Sequence, residues 1–151
     1  MREIDTIVIH CAATPNGKHF TIEDIDRWHV ENGWRRGKMR YAHRPHLLAV
    51  GYHEVGYIDG TIASGRHHDE IGAHAAMHNA HSLGYCMFGT DKFTMKEWEA
   101  LKLWHDSVLA IHPHAKTVGH TDLPGVTKAC PGFSVAEWLA GGRKPLEGHI
   151  I

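Results

Sequence analysis

"TMKEWEALKLWHDSVLAIHPHAKTVGH", residues 94–120, decides the fold class. Leu101, Trp104, Val108 and Ile111 recur at helical spacing, and Thr94 with Glu97 forms a capping box ahead of them. Residues 117–120, "TVGH", then read as a short strand that delivers His120 at its end. A long amphipathic helix feeding a short strand is one step of an alternating α/β chain.

The alternation continues outward from there. "IDTIVIH", residues 4–10, is β-branched and apolar and runs into the turn-forming "CAATPNG". It reads as a buried strand with His10 at its C-terminal end, where α/β proteins place their chemistry. "TIEDIDRWHVENGW" reads as a helix capped by Thr21 and Asp24, with Ile22, Ile25 and Trp28 on one stripe and Gly33 at its close. "HLLAVGYHEVGYIDGTIASG" gives a strand, a turn at Asp59–Gly60 and a return strand, and "SLGYCMFG" a further strand. Ser134 and Glu137 cap a last helix, "VAEWLA", which ends at Gly141–Gly142. The predicted architecture is α/β, a single domain with a central mixed β-sheet flanked by α-helices. The domain spans 1–142, followed by a loosely held C-terminal tail, 143–151.

Composition narrows the function classes. Sixteen Lys and Arg against seventeen Asp and Glu give a net charge of −1. That balance argues against a general nucleic-acid or membrane-surface binder, so neither is expected as a partner. The one basic run, "RRGKMRYAHR" at 35–44, reads as a solvated surface loop or as a basic lip for an anionic polymer. Three widely spaced cysteines do not make a disulfide framework, which points to a reducing compartment. The apolar part of "MREIDTIVIH" is too short for a signal peptide, so cytoplasmic synthesis is expected. Sixteen histidines exceed what packing needs and raise the weight of metal or acid–base chemistry.

Cys130, in "GHTDLPGVTKACPGF" (119–133), is open to several readings: core packing, half a disulfide, a nucleophile or a metal ligand. His10, His120 and Cys130 lack the tight pairing of zinc-finger ligands, and their positions leave a metal site undecided.

Five segments in order, "IVIHCAAT", "IDRWHVENGW", "GYHEVGYIDGTIASGR", "IGAHAAMHNAHSLGYCMFG" and "GHTDLPGVTKACPGF", carry a resemblance over roughly residues 4–140. The chain resembles the zinc-dependent N-acetylmuramoyl-L-alanine amidases of the type 2 amidase and peptidoglycan-recognition superfamily, in its T7 lysozyme-like endolysin branch. The resemblance implies one Zn²⁺ per chain held by His10, His120 and Cys130. It also implies catalytic roles for Tyr52 and Lys128, with His74 and Asn79 lining the substrate groove. The implied reaction is hydrolysis of the amide between N-acetylmuramic acid and L-alanine in peptidoglycan or a muropeptide. The implied setting is a monomeric phage or prophage endolysin that reaches the wall after holin-mediated release.

Two departures accompany it. The basic insertion separates Trp34 from Gly51, and Cys86 stands where one branch carries a glutamate, which favours the Tyr52 and Lys128 pairing. A non-catalytic peptidoglycan-recognition module is the alternative reading, and the presence of Cys130 speaks against it. A histidine-rich metal buffer is a third.

The chemistry matches these residue types. Three protein ligands leave a fourth position for water, which zinc acidifies to a pKa of about 7. Lys128 is expected to face the developing oxyanion, whereas Tyr52, with an ordinary pKa near 10, is a poor base without help. Pro131 is expected to stiffen the turn carrying Cys130. His53, Cys11 and Cys86 read as packing residues and His29 as a surface or packing residue, with Cys11 turned away from the metal by strand alternation. His67, His68, His78, His81, His105, His112, His114 and His149 read as mostly solvated.

Overall fold

The computed structural model describes residues 1–38 and 42–151. Five strands form one mixed sheet: β1 (Thr6–Cys11), β2 (Glu54–Gly56), β3 (Ile62–Ser64), β4 (Ser82–Met87) and β5 (Lys116–Gly119). Their spatial order is β3-β2-β4-β1-β5. β4 lies at the centre and β1 lies inside the sheet, parallel to both β4 and the edge strand β5, while β2 runs parallel to β4 and antiparallel to β3. An interior parallel strand is covered on both faces, which explains the apolar run of β1.

Alternation along β1 and β4 divides the core. Ile7 and Ile9, with Leu83, Tyr85 and Met87, face one side. There they meet α2 (Met95–Ile111) and α3 (Val135–Ala140) through Trp98, Leu101, Trp104, Val108, Val135 and Trp138. On the other side Cys86 packs with Ile22 and Ile25 of α1 (Ile22–Glu31), and Val8 packs with Ala75 and Leu123. His10 belongs to this second face, together with Gly84 and Ser82 in the paired strand.

The helix starts form as the sequence predicts. Glu97 accepts from the Thr94 N–H at 3.1 Å and the Thr94 hydroxyl accepts from the Glu97 N–H at 3.1 Å. Asp24 accepts from the Thr21 N–H at 2.8 Å, and Glu137 N–H donates to the Ser134 hydroxyl at 3.1 Å. Gly33, with φ of 82°, ends α1. The Asp59–Gly60 hairpin is also present, closed by Tyr57 N–H to the Thr61 carbonyl.

Four expectations fail. The segment ahead of Tyr52 is no strand, because the buried Asp26 carboxylate takes the N–H groups of Leu48, Ala49 and Val50 at 3.1, 2.7 and 2.8 Å. Ile111 closes the helical stripe in sequence, yet it is 59% exposed because α2 outruns the sheet there. His105 is buried, not solvated, and bonds the Thr117 hydroxyl at 2.6 Å. The C-terminal residues are fastened rather than loose. Phe93 N–H donates to the His149 carbonyl, Ile151 N–H donates to the Phe93 carbonyl, and Arg143 pairs with Asp106.

Within the basic stretch 35–44, residues 39–41 lie outside the described residues. Arg36 is folded inward. Its guanidinium grips Glu70 at 2.7 and 3.0 Å and donates to the carbonyls of His43, Arg44 and Leu47. No helix among the described residues is long and apolar enough to cross a membrane.

Candidate metal centre

His10, the penultimate residue of β1, is 1% exposed, and the adjacent strand β5 ends at Gly119, so His120 emerges beside it. Cys130 returns to the same place from the following loop, where its carbonyl accepts from the Thr121 N–H at 2.8 Å. The peptide joining Cys130 to Pro131 is cis. The Cys130 sulfur accepts from the Cys11 N–H at 3.3 Å and lies 3.8 Å from His10 Nδ1. The ligand atoms of His10, His120 and Cys130 all lie within 4.8 Å of one another. Among the described residues this is the one group of three or more His, Cys, Asp or Glu close enough to share an ion.

The donor set fits zinc. Two imidazoles and a thiolate match the three-ligand set of a catalytic zinc site. Burial, helped by the neighbouring His74 and His120, drives the His10 pKa well below its ordinary value. Burial and Lys128 lower that of His120, so both rings stay neutral with a lone pair to offer. Thiol contact with Cys11, then burial, pushes the Cys130 thiol up, so a thiolate there calls for an adjacent cation.

The three groups line a cleft of about 750 Å³ whose wall also includes His29, Trp34, Tyr52, His74, Asn79 and Lys128. The Tyr52 ring stands 5.1 Å from the His10 ring, and burial raises its phenol well above the ordinary value. Its placement starts in α1: Asp26 pins residues 48–50, and His29 Nδ1 accepts from the Gly51 N–H at 3.1 Å. Lys128 is exposed at the cleft wall.

His74 and Asn79 line the cleft too, but both His74 nitrogens and the Asn79 side-chain oxygen are committed. His74 Nδ1 lies 2.8 Å from His10 Nε2, and His74 Nε2 lies 3.2 Å from the Ser82 hydroxyl. The Asn79 side-chain oxygen accepts from the N–H groups of His74 and Ala75, both at 2.9 Å. The Cys11 side chain joins the core under α2, yet its thiol also touches Cys130 at the edge of the cleft, so alternation does not turn it fully away from the site; its backbone N–H serves the site too. Cys86 is buried in the α1-side core. His53 is likewise internal, accepting from the Gly84 N–H and facing the Glu70 carbonyl.

Sequence reasoning missed Asp26, Ser82 and the two cleft-wall rings, His29 and Trp34. The signal for Ser82 was its place in β4, an even number of positions from Cys86 and therefore on the face of His10. Asp26 left no such signal, because its partners are backbone groups far along the chain.

Comparison with known proteins agrees with this geometry. Residues 1–133 match the family described as N-acetylmuramoyl-L-alanine amidase. The chain is similar to an endolysin of Escherichia phage T7, 32% identical over 142 residues, covering 89% of this chain and 84% of the relative. An endolysin of Enterobacteria phage K11 is 30% identical over 149 residues, covering 93% and 89%. The fold is similar to that of the N-acetylmuramoyl-L-alanine amidase LysC from Clostridium intestinale URNW. That match has a TM-score of 0.75 and 24% identity, covering 95% of this chain and 87% of the other. A match over residues 1–133, together with a cluster of two histidines at the C-terminal ends of adjacent parallel strands and a cysteine from the following loop, places this protein in the N-acetylmuramoyl-L-alanine amidase family.

Proposed function

We propose that this amidase is zinc-dependent and acts as a phage-type endolysin, hydrolysing the amide between N-acetylmuramic acid and L-alanine in peptidoglycan. The observation that carries the zinc reading is the meeting of His10, His120 and Cys130, from three separate segments, at one wall of an open cleft. Zinc, when bound, supplies Lewis acidity toward water and the amide carbonyl.

The chain's own residues account for the rest. Lys128 sits where its ammonium reaches into the cleft and offsets negative charge building on the carbonyl oxygen. Tyr52 keeps its phenolic proton at neutral pH and acts as a hydrogen-bond donor that orients the reacting groups. The buried, neutral His10 and the sulfur held by the Cys11 N–H fix the ligand side of the site. Trp34 and His29, packed ring to ring at 4.8 Å, form part of the cleft wall. The protein works on the cell wall as a monomer, and another phage protein that opens the inner membrane provides the route there.

Product chemistry tests the reaction. Digested peptidoglycan gains L-alanine amino termini without new reducing sugars; new reducing ends instead would make the enzyme a glycosidase. Chelation abolishes turnover and stoichiometric zinc restores it. Full turnover in metal-free protein would refute the zinc reading.

A further inference from the structure

We propose that His74 is a positioning residue of the metal centre that acts through His10 rather than a group that contacts substrate. This rests on the reading of His10, His120 and Cys130 as ligands.

With His10 Nδ1 taken as the ligand atom, the hydrogen-bond line has one proton arrangement. His10 Nδ1 faces the Cys130 sulfur at 3.8 Å, so that nitrogen offers the lone pair and the ring proton sits on Nε2. Nε2 lies 2.8 Å from His74 Nδ1, a separation that holds one proton, so His74 accepts at Nδ1. The His74 proton then sits on Nε2 and is donated to the Ser82 hydroxyl at 3.2 Å. The rings meet edge-on, 5.0 Å apart at 88°. With that ligand atom, one set of tautomers satisfies the line from Ser82 to the ligand side, and both His74 nitrogens are used in doing so.

The seat of His74 is built for it. A Cβ on Gly84 would stand 2.6 Å from the His74 ring, and one on Gly72 would stand 2.7 Å from its Cδ2. Two glycines therefore open the slot that the imidazole fills. The Asn79 side chain clamps the backbone at His74 and Ala75. The Arg2 guanidinium in turn holds the carbonyls of Asn79, Ala80 and Ser82. An imidazole held this way fixes the tautomer and orientation of a ligating histidine and strengthens it as a donor.

The test uses the full chain as wild type, His74→Ala, His74→Asn and Ser82→Ala. Zinc affinity is measured by competition with a chromophoric chelator, histidine tautomers by ¹⁵N NMR of the metal-free protein, and KM on a soluble muropeptide at saturating zinc. His74→Ala is expected to weaken zinc by roughly 10–100-fold, with KM changed less than about twofold. His74→Asn, whose Oδ1 can accept where Nδ1 stood, recovers most of the affinity. His10 is protonated at Nε2 in the wild type and mixed in His74→Ala. Ser82→Ala keeps both imidazoles and weakens zinc by a smaller factor, so the comparison does not depend on His74→Ala folding.

Unchanged zinc affinity in His74→Ala with a raised KM overturns the proposal and makes His74 a substrate residue. Unchanged affinity in Ser82→Ala overturns the relay. A wild-type chain that takes up no zinc overturns the ligand reading itself and this role with it, an outcome distinct from wild-type affinity in the variants.

Discussion

The backbone N–H of Cys11 donates to the sulfur of Cys130 across 3.3 Å, joining residues 119 positions apart. The bond gives a thiolate a fixed donor on its protein side and leaves its other side to a cation. Cys130→Ser replaces that thiolate with a hydroxyl that stays neutral at pH 7. Bound zinc, read by mass spectrometry, is expected to fall from about one equivalent to a trace, with activity lost in parallel. The metal-free variant keeps the far-UV spectrum of the parent.

Lys128→Ala separates charge from metal. Lys128 is exposed and lies outside the ligand set, so zinc content remains at one equivalent. Turnover is expected to drop by ~10²–10³ in kcat, the cost of removing a charge-stabilising donor. Loss of zinc in this variant would move Lys128 from the reaction to the metal.

Glu97 gives a pH signature remote from the cleft. One of its oxygens caps α2, the other is buried without a partner, and burial raises the carboxyl from 4.5 to about 7. The folded state holds this proton more tightly than the unfolded chain. The stability it contributes is present below pH 4.5 and is lost as pH rises through about 7. Glu97→Gln keeps the capping geometry and is neutral throughout. Thermal unfolding is expected to show a Tm gain of roughly 5 °C at pH 8 and little change at pH 4.

Met77 is 95% exposed and carries a φ of 69°, in the left-handed region, on the loop between His74 and Asn79. Its side chain gains little from burial while its backbone is strained. Met77→Gly is expected to stabilise the protein by about 1 kcal/mol, measured by urea unfolding, with zinc affinity unchanged.

Most of the architecture was legible because its signals are local. The Thr94 and Glu97 caps, the β1 apolar run and the Asp59–Gly60 turn each sit within a few residues of the element they define. The meeting of His10, His120 and Cys130 was not legible from spacing, since it depends on β1 and β5 lying side by side. Motif resemblance supplied what spacing could not. The commitment of both His74 nitrogens escaped both routes. It arises from Ser82 on one side and His10 on the other, two residues whose proximity exists only through the pairing of β1 with β4. The tail misled for the opposite reason: "RKPLEGHII" has the composition of a free end, and its partners are backbone groups of Phe93.

Because β1 pairs in parallel with β5, a strand from the far end of the chain, this pocket has no partial form. Ile9 must find Gly119 before an imidazole and a sulfur can share one neighbour, and such distant pairings close late and slowly. Zinc uptake followed through refolding would therefore serve as a clock for the final closure of the sheet, silent until the last long-range ladder has zipped.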